Sequence, residues 1–125
     1  MQNILFREDN NFLEGFYYDT DRKAFYESSG LTGKSYVHKL DYAAETTTLS
    51  INEAKMSKLP SKYFGEGLAP RSASEFVVLT YKHKKIFTID RDTMQFNSQE
   101  YVVPSDLREG WGMTADESQV NENGF

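Results

Sequence analysis

The chain has 125 residues, a net charge of −5 and a pI near 5.0, with 38% hydrophobic and 14% aromatic content. That acidic balance argues against nucleic acid as a partner, and no run approaches the ~20 apolar residues of a membrane span. Cysteine is absent, which excludes disulfides and thiolate zinc sites, and no Asn-x-Ser/Thr acceptor occurs.

Residues 1–6 carry neither a basic region nor an apolar run long enough for a secretory leader. From residue 12 onward the chain is organised by a repeated core of glutamate, glycine and an apolar residue. The copies are Glu14-Gly15-Phe16, Glu66-Gly67-Leu68 and Glu109-Gly110-Trp111, spaced 52 and then 43 residues apart. Recurrence at roughly 40–50 residues is the period of propeller blades. Aromatic residues stand just upstream of the first two copies (Phe12, then Tyr63-Phe64), and Trp111 lies inside the third.

After the first copy, Phe16-Tyr17-Tyr18-Asp19 and Ala24-Phe25-Tyr26-Glu27-Ser28 flank the polar Thr20-Asp21-Arg22-Lys23, the pattern of a hairpin. Gly30-Leu31-Thr32-Gly33 then reads as a turn and residues 36–41 as a third strand. Residues 46–51 read as a fourth. The stretch 46–59 also admits a helix, because Leu49, Glu53, Met56 and Lys58 do not alternate; the β-branched residues crowding its first half favour a strand.

Gly67-Leu68-Ala69 opens the second unit, and residues 75–81 form the clearest strand in the chain. Lys82-His83-Lys84-Lys85 reads as a solvated turn, followed by a strand over 86–90, a turn at Arg91-Asp92-Thr93, and an outer strand over 95–103 stopped by Pro104. Four strands per repeat is what a blade requires. The expected fold is therefore all-β, a partial β-propeller. One blade covers about 12–55, a second about 64–104, and a third begins over 109–125. A propeller closes with about four or more blades, so unpaired strand edges here favour self-association.

Two other patterns lead nowhere. Gly33-Lys34-Ser35 ends like a phosphate-binding loop, but Ser28 stands where that motif needs glycine, and a strand is expected after Ser35. His38 and His83 are far apart in sequence without paired spacing, so no metal and no cofactor is expected.

Four segments carry a resemblance. Phe12-Leu13-Glu14-Gly15-Phe16, the stretch from Tyr26-Glu27-Ser28-Ser29 through Gly33-Lys34-Ser35, Tyr63-Phe64-Gly65-Glu66-Gly67-Leu68 and Glu109-Gly110-Trp111-Gly112-Met113-Thr114-Ala115-Asp116 resemble successive signatures of the glutamine cyclotransferase family. These are the plant- and bacterial-type glutaminyl-peptide cyclotransferases, five-bladed β-propellers. The segments occur in the family's order and spacing, and cover about the first half of a member.

The resemblance implies a reaction. Family enzymes convert an N-terminal glutaminyl residue of a peptide to pyroglutamate and release ammonia, the residue's own α-amine attacking its side-chain carboxamide. Peptides or proteins with N-terminal Gln are therefore the implied partners. Both reacting groups sit on one residue, so the enzyme mainly holds a ring-closing conformer and moves protons. One carboxyl can take the proton from the attacking amine and give it to the departing nitrogen. An aromatic surround would raise its pKa towards neutrality.

By resemblance, Glu66 is that acid/base; the bare sequence also allows it to cap a strand or pair with Lys62. Glu14 stands where the family usually has glutamine, lining the substrate pocket. A carboxylate there is placed to contact the substrate's α-ammonium or to perturb Glu66 by like charge. Trp111 matches the pocket tryptophan, Phe12 and Phe64 match wall positions, and Tyr81 falls where the family often has tryptophan; ordinary blade packing is the alternative for each. Glu109 stands where the family varies and reads most simply as a solvated loop residue, although strand equivalence would let all three glutamates face one channel. In the family, an asparagine, a further tryptophan and a lysine from later blades complete the pocket, so this chain alone is expected to have little activity. Family enzymes usually act in the secretory route or outside the membrane.

Overall fold

The computed structural model describes residues 11–104, 106 and 108–115. These form eight strands and no helix: β1 (Phe12–Asp19), β2 (Ala24–Gly30), β3 (Tyr36–Ala43), β4 (Thr48–Lys58), β5 (Gly65–Pro70), β6 (Glu75–Thr80), β7 (Lys85–Asp90) and β8 (Phe96–Val102). They pair in chain order into two antiparallel meanders, β1-β2-β3-β4 and β5-β6-β7-β8. Two consecutive up-and-down four-stranded sheets laid against each other make an all-β, partial propeller.

The β2–β3 turn bends at Gly33 (φ 81°), but the other hairpins turn without glycine. Lys23 (φ 48°), Thr47 (φ 51°) and Lys84 (φ 54°) each take a left-handed conformation at the last position of a four-residue turn, over 20–23, 44–47 and 81–84. Asp19 Oδ1 accepts from the backbone N–H groups of Asp21 and Arg22, both at 3.0 Å. Asp90 Oδ1 repeats the device with Asp92 (2.9 Å) and Thr93 (2.7 Å). Aspartate mimicking the first carbonyl of a turn fixes such bends locally.

Residues 48–58 are a strand, and its register explains the broken alternation. Met56 lies opposite His38 and Ile51 opposite Leu40, so residues 52–55 bulge out against Lys39 alone. Asn52 braces that bulge, accepting from the Ala54 N–H at 3.1 Å and donating to Asp41 Oδ1 at 3.3 Å.

The core lies between the sheets. Tyr17, Ala24, Tyr26 and Val37 of the first meet Leu68, Phe76, Val78, Phe87 and Ile89 of the second. Phe76 anchors the contact, with the Tyr26 ring at 4.6 Å and the Tyr17 ring edge-on at 5.6 Å. Beside this core the sheets are joined by charge. Arg91, buried in the β7–β8 turn, donates to Asp19 Oδ2 at 2.5 Å and to the Ser72 carbonyl at 2.7 Å, and lies over Phe76 at 4.8 Å. Arg22 grips Asp92 with Nε (2.7 Å) and a terminal nitrogen (3.1 Å). Burial pushes the Asp19 carboxyl up, but the Arg22 backbone N–H and the Arg91 guanidinium outweigh it and hold it below the usual carboxylate range.

The other face of the first sheet carries an aromatic patch at one end. Phe16, Tyr18 and Tyr42 are exposed there around Phe25, whose ring lies 4.7 Å from Tyr18 and 5.5 Å from Phe16. In its midst the buried Glu27 and His38 sit directly opposite each other, Oε1 to Nδ1 3.4 Å.

Candidate functional site

The two innermost strands carry the same irregularity at the same place. In β1, Leu13 pairs with Ser29 and Gly15 with Ser28, so Glu14 is an extra residue that no partner opposes. In β5, Gly65 pairs with Thr80 and Leu68 with Val78, again one residue too many, at Glu66-Gly67. A bulge re-aims the side chain it carries. The glycine after each glutamate lets the neighbouring strand come close: a Cβ on Gly15 would stand 2.6 Å from the Leu68 backbone nitrogen.

These bulges bring Glu14 and Glu66 together. Glu66 is 4% exposed, and its carboxyl hydrogen-bonds to that of Glu14. Burial, followed by the charge of Glu14 and that hydrogen bond, pushes the Glu66 carboxyl up to about 7. Lys62 lies instead over the Tyr63 ring, 5.0 Å from its centre.

An aromatic wall runs beside the pair. Phe12 lies 6.4 Å from Phe64, Phe64 6.1 Å from Tyr81, and Tyr81 5.3 Å from Trp111, edge to face. Of the residues expected from the sequence, Phe12, Phe64, Tyr81 and Trp111 form this row of rings and Glu14 and Glu66 the carboxyl pair. Phe12 and Trp111 are each about 60% exposed, the profile of a wall rather than of a core. Backbone bonds hold it in line: the Tyr81 N–H donates to the Phe64 carbonyl and the Gly110 N–H to the Tyr81 carbonyl, both at 3.1 Å.

The third repeat aligns differently from the sequence expectation. Gly67 packs on the backbone of Trp111, Gly112 and Met113 as Gly15 packs on Leu68; a Cβ on Gly67 would stand only 2.6 Å from the Met113 nitrogen. The Gly67 N–H donates to the Trp111 carbonyl at 2.8 Å. Gly112 is therefore the counterpart of Gly15 and Gly67, and Trp111 the counterpart of Glu14 and Glu66. Glu109 falls two positions earlier, is exposed, and accepts from the Tyr81 hydroxyl at 3.3 Å. What repeats is the glycine under the adjoining strand, and the recurring Glu-Gly pair hid that. Two glutamates and a tryptophan, not three glutamates, occupy equivalent places.

A family model described as glutamine cyclotransferase matches residues 3–124. The chain belongs to the glutamine cyclotransferase family. Comparison with curated proteins gives no match.

Several residues of this family member matter to the site without any chemical signature in the sequence. Gly30, expected as part of a turn, ends β2 beneath Phe64, where a Cβ would stand 2.2 Å from the ring. Ser28 donates its hydroxyl to the Glu66 carbonyl. Ser35 is buried; its hydroxyl donates to the Leu31 carbonyl at 2.9 Å and accepts from the Gly65 N–H at 3.0 Å, which seats the start of β5. The loop that resembled a phosphate cradle is thus spent on supporting the Glu66 strand. Small residues packed across the chain leave no periodic trace, so only their recurrence in the family segments marked them.

Proposed function

We propose that this chain carries the acid/base site of a glutaminyl-peptide cyclotransferase, which closes N-terminal glutaminyl residues to pyroglutamate and releases ammonia. The observation that carries this reading is Glu66: a carboxyl held near neutrality at the foot of an aromatic wall. A group with pKa close to the working pH is the one best able both to accept and to donate a proton. The α-amine attacks the side-chain carbonyl carbon and a C–N bond forms. Glu66 takes the proton that the attacking nitrogen sheds and delivers one to the carboxamide nitrogen. The second C–N bond then breaks and ammonia leaves. Phe12, Phe64, Tyr81 and Trp111 hold the glutaminyl side chain and exclude water, while Glu14 meets the α-amine end.

The test is ammonia loss from a Gln-initiated peptide, followed by mass spectrometry over long incubation. Glu66→Gln is expected to remove the activity, since a positioned acid/base contributes about 10²–10⁴ in rate. Turnover equal in wild type and variant would sink the assignment.

The exposed aromatic patch on the outer face of the first sheet favours a second reading, in which the chain is a propeller segment that binds a partner. Phe16, Tyr18 and Tyr42 form an exposed aromatic patch there, and self-association through that face or the outer sheet edges would cover it. A folded chain that binds but releases no ammonia would decide for that reading.

A further inference from the structure

We propose that Glu14 is a second catalytic carboxyl: it takes the proton of the substrate's α-ammonium, while Glu66 protonates the departing carboxamide nitrogen. This rests on the cyclotransferase reading and divides the work within that same site.

Three features of the geometry carry it. Equivalent bulges on adjoining inner strands deliver both side chains to one point, so their meeting is built into the repeat. Their carboxyls lie within hydrogen-bonding reach, and like charge at that range opposes ionisation of the buried Glu66. Their surroundings differ: Glu66 is buried, whereas Glu14 is half-exposed between the exposed Phe12 and Leu13. Burial therefore favours the proton on Glu66, and Glu14 is the carboxyl that an entering cation can reach. Other titratable groups near the wall are engaged elsewhere: Glu109 accepts from Tyr81, and the Lys82 ammonium lies over the Tyr81 ring at 4.9 Å.

The protons balance. An α-amine with a free pKa of about 7.7–8.0 arrives mostly as ammonium at neutral pH. It gives one proton to Glu14, and the neutral nitrogen then forms the C–N bond to the side-chain carbonyl carbon. Glu66 gives its proton to the carboxamide nitrogen and takes one back from the attacking nitrogen. The bond to the carboxamide nitrogen breaks, and ammonia leaves with the proton from Glu14 as ammonium. The pair returns to one proton. A glutamine at position 14 could hydrogen-bond to the α-ammonium but could not accept its proton.

The experiment combines kinetics with titration of the Glu66 carboxyl, followed by NMR of the full chain labelled with ¹³C-glutamate. Expected are a loss of about 10²–10³ in kcat/KM for Glu14→Gln and Glu14→Ala, at least partial recovery of Glu14→Ala by added formate, and a downward move of the Glu66 midpoint in Glu14→Gln. Formate recovery is the readout that a merely structural role would not give. Turnover in Glu14→Gln close to wild type, or a lost rate that formate leaves unrestored, overturns the proposal. If wild type releases no ammonia while Glu14→Gln still moves the Glu66 midpoint, the cyclotransferase reading itself fails and the relay with it. The carboxyl contact would then stand alone.

Discussion

Glu66 costs the fold stability whenever it is ionised, because burial and Glu14 both oppose its charge. Its folded-state pKa of about 7 lies above the ordinary 4.5. The stabilisation it contributes is therefore complete below about pH 4.5 and is lost as pH rises through about 7. The span corresponds to on the order of 3 kcal/mol at 1.36 kcal/mol per pKa unit. Urea unfolding at pH 5 and pH 8 should show wild type losing most of that amount relative to Glu66→Gln; equal pH dependence in the two would refute the buried pair. Asp19 acts in the opposite sense. Its lowered pKa gives stability above the ordinary carboxylate range that disappears as pH falls through the folded value. The chain should be most stable in mildly acid solution. Of all this, the sequence showed that Glu66 and Glu14 were candidates, but not that they touch, since residues 52 apart acquire a common environment only through packing.

Each inner strand couples a glutamate to the strand beside it through a glycine. Added to Gly67, a methyl group would stand 2.6 Å from the Met113 nitrogen; added to Gly112, it would meet nothing within 4 Å among the described residues. Gly67→Ala is expected to destabilise by about 1–3 kcal/mol through overpacking. Gly112→Ala, away from such a contact, should stay within about 0.5 kcal/mol. Denaturant midpoints of the pair would check this, and equal effects would break the repeat alignment that makes Trp111 the counterpart of Glu66. Strand existence was legible here because aromatic and β-branched runs alternate between polar turns. Strand register was not: bulges at Glu14, Glu66-Gly67 and 52–55 each shift alternation, and no residue type announces an unopposed position.

The two sheets are held as one body by an apolar core and by the Asp19–Arg91 pair beside it. Both members are nearly inaccessible to solvent, so removing one leaves an uncompensated charge in the interior. Arg91→Met or Asp19→Asn alone should therefore cost about 3–5 kcal/mol. The double variant is expected to cost clearly less than the sum, because it leaves no orphan. Thermal unfolding of the three variants measures this directly, and strict additivity would mean that the pair does not join the sheets.

The amino-acid sequence alone determined the all-β class, the four-strand period and the family, and nominated the residues of the candidate site, because periodicity and recurring motifs are local and survive in one dimension. Tertiary structure decided that Glu14 and Glu66 form one carboxyl pair, that Trp111 rather than Glu109 completes their series, and that Arg91 locks the sheets. Each of these depends on where a strand bulges and which backbone lies against a glycine. Such contacts are set by the packing of one sheet on another, which no stretch of either sheet specifies by itself.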